Sequence, residues 1–310
     1  MASDWKDFTL YTDLYVKRFM MLVDKVAESK DSFCPEDFNC FDLLHYDGHE
    51  NIMEFFRSLD HGSPLKVLEM GAGIGGTSRL IKNNFNVEMV STEYLEGYCE
   101  VNKRINSMCG LDIKVVAGDA CNLPLSELDC LGSCDIVFSI GVFLHIYDKP
   151  KLFSECNSAL KSGGKLYIED LTVENEVPFT LEEETAAQEL GMQKLTKSQY
   201  VKYLEDAGFR VDFWEFRTTN WARYIYNRSE QIFANEANLR EEGGEEWWAK
   251  WSDWCLNKIP KLYHQVDMPF EEVKAKWPVL TRKMGEDQMR KWACEEPQKA
   301  GGAYIIATKL

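Results

Sequence analysis

The spacing of apolar and polar positions divides the chain into stretches of different character. Over residues 5–29, Leu14, Phe19, Leu22, Val23 and Val26 recur near a 3.6-residue period, which predicts a helix. Residues 30–46 lose that period and are punctuated by Pro35 and Asn39. A second helix is predicted over 48–59. From residue 65 the rhythm changes. Short apolar runs at 65–70, 87–93, 113–117, 134–139 and 165–171 alternate with helical patterns at 76–83, 94–108 and 148–160, and Gly163-Gly164 reads as a turn. Parallel strands need crossovers, so this alternation predicts an α/β fold with a doubly wound, mostly parallel sheet. Right-handed crossovers put helices on both faces.

The later pattern is less regular. Residues 172–195 are acidic and loop-like, turning helical from Thr180. A helix is predicted over 196–207 with Gly208 as its C-cap, then a sixth strand over 209–217. Residues 219–293 are helical and rich in Trp, and 302–309 is an apolar strand. That last strand is too short to stand alone and must return to the sheet. The expected organisation is an N-terminal helical extension at 1–46, a core at 47–218, a helical insert or lid at 219–298, and a terminal strand at 299–310.

Charge narrows the function. With 35 Lys and Arg against 51 Asp and Glu among 310 residues, the net charge is −16. Such an average repels a phosphate backbone, so no nucleic-acid partner is expected. It suits a cationic ligand better, although part of it lies in runs such as 182–184 and 241–246. No apolar run approaches the ~18 residues of a membrane span, so no membrane partner is expected. The first residues carry Asp4 and Asp7 and no basic segment leading into an apolar one, which argues against a secretory or transit segment. Ten cysteines without a CxxC pair read as reduced thiols of a cytoplasmic protein, with no metal site. His45 and His49, either side of Tyr46, match no ligand spacing.

The chemistry concentrates where strands end. Glu69-Met-Gly71-Ala-Gly73-Ile-Gly75-Gly76 joins the first strand to a helix. Its glycines permit a tight turn and close approach of a ligand to the backbone, and the helix start favours an anionic group. Glu69 suits a positive centre. Glu93, ending the second strand, can accept two ribose hydroxyls, and Asp119-Ala120, past the third, can meet an exocyclic amine. A ligand with a carboxylate, a positive centre, a ribose and an adenine satisfies all four, and S-adenosylmethionine is that ligand.

On these motifs the chain resembles the class I S-adenosylmethionine-dependent methyltransferases. The resemblance rests on residues 67–76 (VLEMGAGIGG), Glu93, 118–120 (GDA), 134–139 (CDIVFS) and 160–170 (LKSGGKLYIED). It implies a Rossmann-like seven-stranded sheet of order 3-2-1-4-5-7-6 with the last strand antiparallel. It further implies that Gly71, Gly73 and Gly75 line the methionine end, Glu93 holds the ribose, Asp119 and Ala120 contact the adenine, and Ser139 opens the active-site floor. Residues 139–145 (SIGVFLH) and 148–153 (DKPKLF) resemble the sarcosine/dimethylglycine and phosphoethanolamine N-methyltransferases. In that group a His after the fourth strand can pair with a Tyr from the N-terminal region. His145 matches the His, and either Tyr46 or Tyr11 the Tyr.

The resemblance therefore implies methyl transfer to a small-molecule amine, with His145 as base, Tyr46 beside it, and Tyr11 and Trp221 as substrate contacts. Trp214, Trp221, Tyr224 and Tyr226 could surround a quaternary ammonium, although such a set commonly packs as core. The group usually carries an Asp four residues before the His, where this chain has Gly141. The Tyr and Arg residues that hold a phosphobase have no clear counterparts between 171 and 195. An alternative is thus a methyltransferase-fold subunit acting as a scaffold in a larger assembly. Trp247, Trp248, Trp251 and Trp254 form a helical stripe that is a packing face by default and a protein-partner surface if exposed.

Overall fold

Seven strands form one sheet in the order β3-β2-β1-β4-β5-β7-β6. They are β1 (Leu65–Met70), β2 (Val87–Glu93), β3 (Ile113–Ala117), β4 (Cys134–Ile140), β5 (Leu160–Val173), β6 (Phe209–Phe216) and β7 (Ala300–Lys309). The computed structural model describes residues 13–42, 48–59, 62–175, 177–189, 191–258 and 265–310. Strands β1 to β5 pair in parallel. The terminal strand runs antiparallel to β6: Leu310 N–H donates to Gly208 O (3.0 Å) at one end and Arg217 N–H to Gly302 O (2.7 Å) at the other. The strand order and the reversed last strand are those the resemblance implies.

Helices α1 (Asp13–Ser29), α2 (Asn39–Asp42) and α3 (Glu50–Arg57) precede the sheet, and α4 (Gly76–Asn84), α5 (Glu96–Met108) and α6 (Lys149–Ala159) connect its strands. The last of these starts where its sequence says it should. The Asp148 carboxylate accepts Lys151 N–H at 3.1 Å as N-cap, and Pro150 occupies the first turn. Then come α7 (Leu181–Glu189), α8 (Lys197–Asp206), α9 (Thr218–Ala234), α10 (Glu236–Asp253), α11 (Phe270–Lys276), α12 (Pro278–Met284) and α13 (Glu286–Arg290).

The described residues divide into two compact units: those within 13–170, 198–215 and 304–310 form one, and those within 171–197 and 216–303 the other. The first holds most of the sheet. Its core joins Ile52, Phe55 and Phe56 of α3 to Val67, Met89, Val115, Phe138 and Tyr167 of the strands. Phe56 is fully buried, with its ring edge-on to Phe138 at 6.4 Å.

The second unit is helical. Its aromatic side chains pack on one another: Tyr226 against Trp277 at 5.2 Å, Phe233 against Trp248 at 5.7 Å, and Trp247 stacked on Trp251 at 6.0 Å. Trp247, Trp248 and Trp251 are 4 %, 4 % and 9 % exposed, so these rings present no open face to a protein partner. The stripe is core because helix α10 bends at Gly244 (φ 76°, ψ 165°) and Gly243 lies flush against the Trp247 ring. The acidic run at 241–246 is helical on either side of this break.

Local boundaries shift in two further places. Pro35–Phe38 forms a 3₁₀ turn inside the stretch read as irregular, with Cys34 N–H donating to Asp37 Oδ2 at 2.9 Å. Gly163-Gly164 does not end a helix-to-strand loop. The strand already begins at Leu160, and the register jumps from Cys134↔Leu160 to Ile136↔Lys165. The glycines absorb the bulge, Gly163 at φ 76° and Gly164 pressed on the Cys134 and Lys161 carbonyls.

Candidate active site

The glycine loop leaves β1 at the carboxyl end of the sheet, where open α/β folds bind their ligands. Gly71 and Ala72 N–H both donate to Thr92 O at 2.9 Å, which ties the loop to β2. Gly71, Gly73 and Gly75 all have positive φ (80°, 54° and 87°), a region that L side chains enter at a cost. Their surroundings differ. A methyl group on Gly71 would sit 2.5 Å from Val142, and one on Gly75 would sit 2.2 Å from Asn102 Oδ1. A methyl group on Gly73 would have no described atom within 4 Å beyond its own chain neighbours. Two glycines are thus packed against the protein and the middle one faces open space.

Behind the loop lies a polar network that the sequence did not announce. Arg79 of α4 is fully buried. Its guanidinium donates to Asn102 Oδ1 (3.2 Å), Asn106 Oδ1 (3.0 Å) and Ile74 O (2.6 Å). Asn106 Nδ2 also donates to Asn102 Oδ1 at 2.9 Å. The loop is therefore held from inside by a cation that grips Ile74 O directly and ties down the Asn102 side chain against which Gly75 packs.

The acidic residues occupy distinct places. Glu93 ends β2 and is buried; its Oε2 accepts Gly73 N–H (2.9 Å) and its Oε1 accepts Leu95 N–H (3.0 Å). Burial raises its pKa, and the Leu95 and Gly73 amides oppose that rise. Each oxygen retains acceptor capacity, so the carboxylate is oriented by backbone and can still receive two hydroxyls. Asp119 lies exposed past β3, with Oδ1 accepting Cys121 N–H at 2.9 Å, and Ala120 follows it in the turn. Glu69 is 3 % exposed and accepts the Ser78 hydroxyl. Burial pushes its pKa up to about 7, against the opposing effects of Ser78 and Arg79. The Ser139 hydroxyl is buried and donates to Met70 O at 2.8 Å, joining β4 to β1.

His145 closes a 3₁₀ turn, Phe143–His145, that follows β4. Its N–H donates to Val142 O at 3.0 Å, and Val142 is the residue that Gly71 packs against. The histidine turn and the glycine loop therefore meet at one side chain. Trp221, in the other unit, is 2 % exposed and lies flush on Gly302. Tyr11 and Tyr46 lie outside the described residues.

The comparisons fit this geometry. The family described as "Methyltransferase domain" matches residues 68–168, which span the glycine loop, Glu93, Asp119 and the His145 turn. Residues 68–168 are thus similar to a methyltransferase domain. Phosphoethanolamine N-methyltransferase 1 of Triticum aestivum is 32 % identical over 57 % of this chain and 35 % of its own length. The sarcosine/dimethylglycine N-methyltransferase of Halorhodospira halochloris is 24 % identical over 56 % of this chain and 62 % of its own. The chain thus spans about a third of the plant relative it matches. Among solved structures, Haemonchus contortus phosphoethanolamine N-methyltransferase 2, in complex with phosphomonomethylethanolamine and S-adenosylhomocysteine, aligns with a TM-score of 0.65 at 18 % identity. That alignment covers all of this chain and 60 % of the other. Among the described residues, no helix is long and apolar enough to cross a membrane.

Proposed function

We propose that the chain transfers a methyl group from S-adenosylmethionine to the nitrogen of a small amine, with His145 as the base. The observation that carries the donor assignment is the Glu93–Gly73 contact: a carboxylate oriented by the amide of the one loop glycine that faces open space. Gly71, Gly73 and Gly75 would line the methionine end, Glu93 would receive the ribose hydroxyls, and Asp119 with Ala120 would meet the adenine. The sulfonium donor supplies an electrophilic methyl group. The names of the relatives support an amine acceptor.

The protein's part is then positioning and proton handling. An ammonium has no lone pair, so the acceptor must lose a proton before it attacks. Imidazole is the side chain that ordinarily titrates near neutral pH, and a His at the carboxyl edge of the sheet is suited to take that proton. Tyr46, or Tyr11, would orient it.

Calorimetry with S-adenosylmethionine and S-adenosylhomocysteine tests the donor site, and turnover on sarcosine, dimethylglycine and phosphoethanolamine tests the acceptor class. Absence of binding at millimolar ligand would reject the reading. His145→Ala should abolish turnover while leaving donor affinity within a few-fold. The scaffold reading is favoured by one observation: Gly141 sits at φ 66° and donates its N–H to Glu169 O at 2.7 Å, a place where the relatives' group carries an Asp. Donor binding without turnover on any small amine would select it.

A further inference from the structure

Three buried polar side chains converge on the turn that carries His145. Lys149, the first residue of α6, is 1 % exposed. Its Nζ donates to Phe143 O at 2.8 Å and to Ile146 O at 2.5 Å, the carbonyls that bracket Leu144 and His145. Asp170, near the end of β5, is fully buried, and its Oδ1 accepts Leu144 N–H at 3.0 Å. Tyr200 of α8 is buried as well, and its hydroxyl donates to Asp170 Oδ2 at 3.0 Å.

Burying an ammonium and a carboxylate is costly, and a fold that retains them uses them. Here the use is geometric. A 3₁₀ turn of three residues has little hydrogen bonding of its own. This one is gripped at both flanking carbonyls by a cation and at its central amide by an anion. Burial lowers the pKa of Lys149 to about 8, and Asp170 favours the charged form.

We infer that Lys149, Asp170 and Tyr200 are positioning residues, a clasp that fixes the Phe143–Ile146 turn and so sets where His145 presents its ring. This rests on the reading of His145 as base given above. None of the three touches the reacting atoms. Tyr200 acts through Asp170, and Asp170 and Lys149 act through the turn.

Lys149→Met keeps the length of the side chain and removes its charge and donors. Tyr200→Phe removes one hydroxyl and keeps the ring on Phe153 and Trp214, which lie 5.5 Å and 5.6 Å away. Two readouts separate a clasp from a merely structural role. Amide hydrogen exchange of the protein without ligand should show Leu144 and Ile146 losing protection in Lys149→Met, while Val90 and Val137 of the central strands keep theirs. In turnover, kcat should fall about 100-fold in Lys149→Met, the scale of a 1 Å misplacement, with S-adenosylhomocysteine affinity within about threefold of wild type. Tyr200→Phe should show the same pattern more weakly, a several-fold loss of kcat with donor affinity unchanged.

Unchanged Leu144 protection in folded Lys149→Met would overturn the clasp, and so would wild-type kcat in that variant. If Lys149→Met does not fold, wild-type kcat and wild-type Leu144 protection in Tyr200→Phe would overturn it. Failure of the wild-type protein to bind S-adenosylhomocysteine would instead reject the functional reading, while the exchange result would still decide the clasp.

Discussion

The glycine loop and the His145 turn stand side by side at the carboxyl end of the sheet, yet they are held in place by opposite means. The loop is shaped from within. Its backbone adopts conformations that glycine alone takes cheaply, and its amides are satisfied by the end of β2. The turn is shaped from outside. Its residues are ordinary, and a lysine, an aspartate and a tyrosine from three other elements fix it. One device is written in a short motif. The other exists only after the chain has folded. A substitution in the loop should therefore act through backbone and stability, whereas one behind the turn should act through catalysis.

The largest expected effect is at Gly75. Alanine there pays for φ 87° and drives a methyl group onto Asn102, which cannot swing away while Arg79 and Asn106 hold its oxygen. The left-handed backbone costs about 1–2 kcal/mol and breaking a buried hydrogen bond about 1–3 kcal/mol. Gly75→Ala should lose roughly 3–4 kcal/mol in urea unfolding, with donor affinity lost alongside. A loss below about 1 kcal/mol would mean that the loop relaxes freely and is not shaped from within.

Glu93→Gln comes next. The amide keeps one acceptor oxygen where the carboxylate offers two to Gly73 and Leu95. One buried N–H is left without its acceptor, at about 1–3 kcal/mol. Donor affinity should fall roughly 10- to 100-fold by calorimetry. An unchanged affinity would remove Glu93 from the ribose role.

Gly73→Ala separates packing from binding inside the loop. Nothing described crowds that position, so stability should fall by only the 1–2 kcal/mol of the left-handed backbone. Donor affinity should fall more steeply than stability, because the added methyl enters the space the ligand would use. Equal losses in Gly73→Ala and Gly75→Ala would erase the distinction between the two glycines.

The same contrast explains what could be read from the chain before its structure. The alternation of strands and helices and the return of a terminal strand follow from signals of short range: apolar runs, glycines at strand ends, and the Asp148–Pro150 start of α6; the strand order and the reversed last strand come with the resemblance. Glu93 and Asp119 are legible for the same reason, since a carboxylate at a strand end stands out. Arg79, Asn102, Lys149, Asp170 and Tyr200 are not. Nothing local distinguishes a buried lysine at a helix start from an exposed one, and Asp170 acquires its role from Leu144, 26 residues away. The bulge at Gly163-Gly164 escapes notice because a glycine pair signals a turn unless a neighbouring strand forces it into register. The Trp stripe is ambiguous in sequence because period alone does not say which face is covered.

The sharpest probe of the loop's interior concerns Glu69. Burial raises its pKa from the ordinary carboxylate range to about 7, with Glu93 adding to the rise and Ser78 and Arg79 opposing it. Between pH 4.5 and 7 the folded protein therefore holds a proton that the unfolded chain has released. The sign follows from linkage: a state that binds more protons is weakened as pH rises, so stability contributed by Glu69 declines across this window and levels off above pH 7. The whole effect is at most about 3 kcal/mol. Glu69→Gln keeps an acceptor for Ser78 but cannot titrate. Its thermal midpoint should change less than wild type between pH 5 and 7, and the two curves should separate as pH rises. Parallel curves would mean that Glu69 is ionised throughout, stabilised by Arg79 and Ser78 strongly enough to offset its burial. That outcome would move the positive charge behind the loop from a support of the backbone to the partner of Glu69.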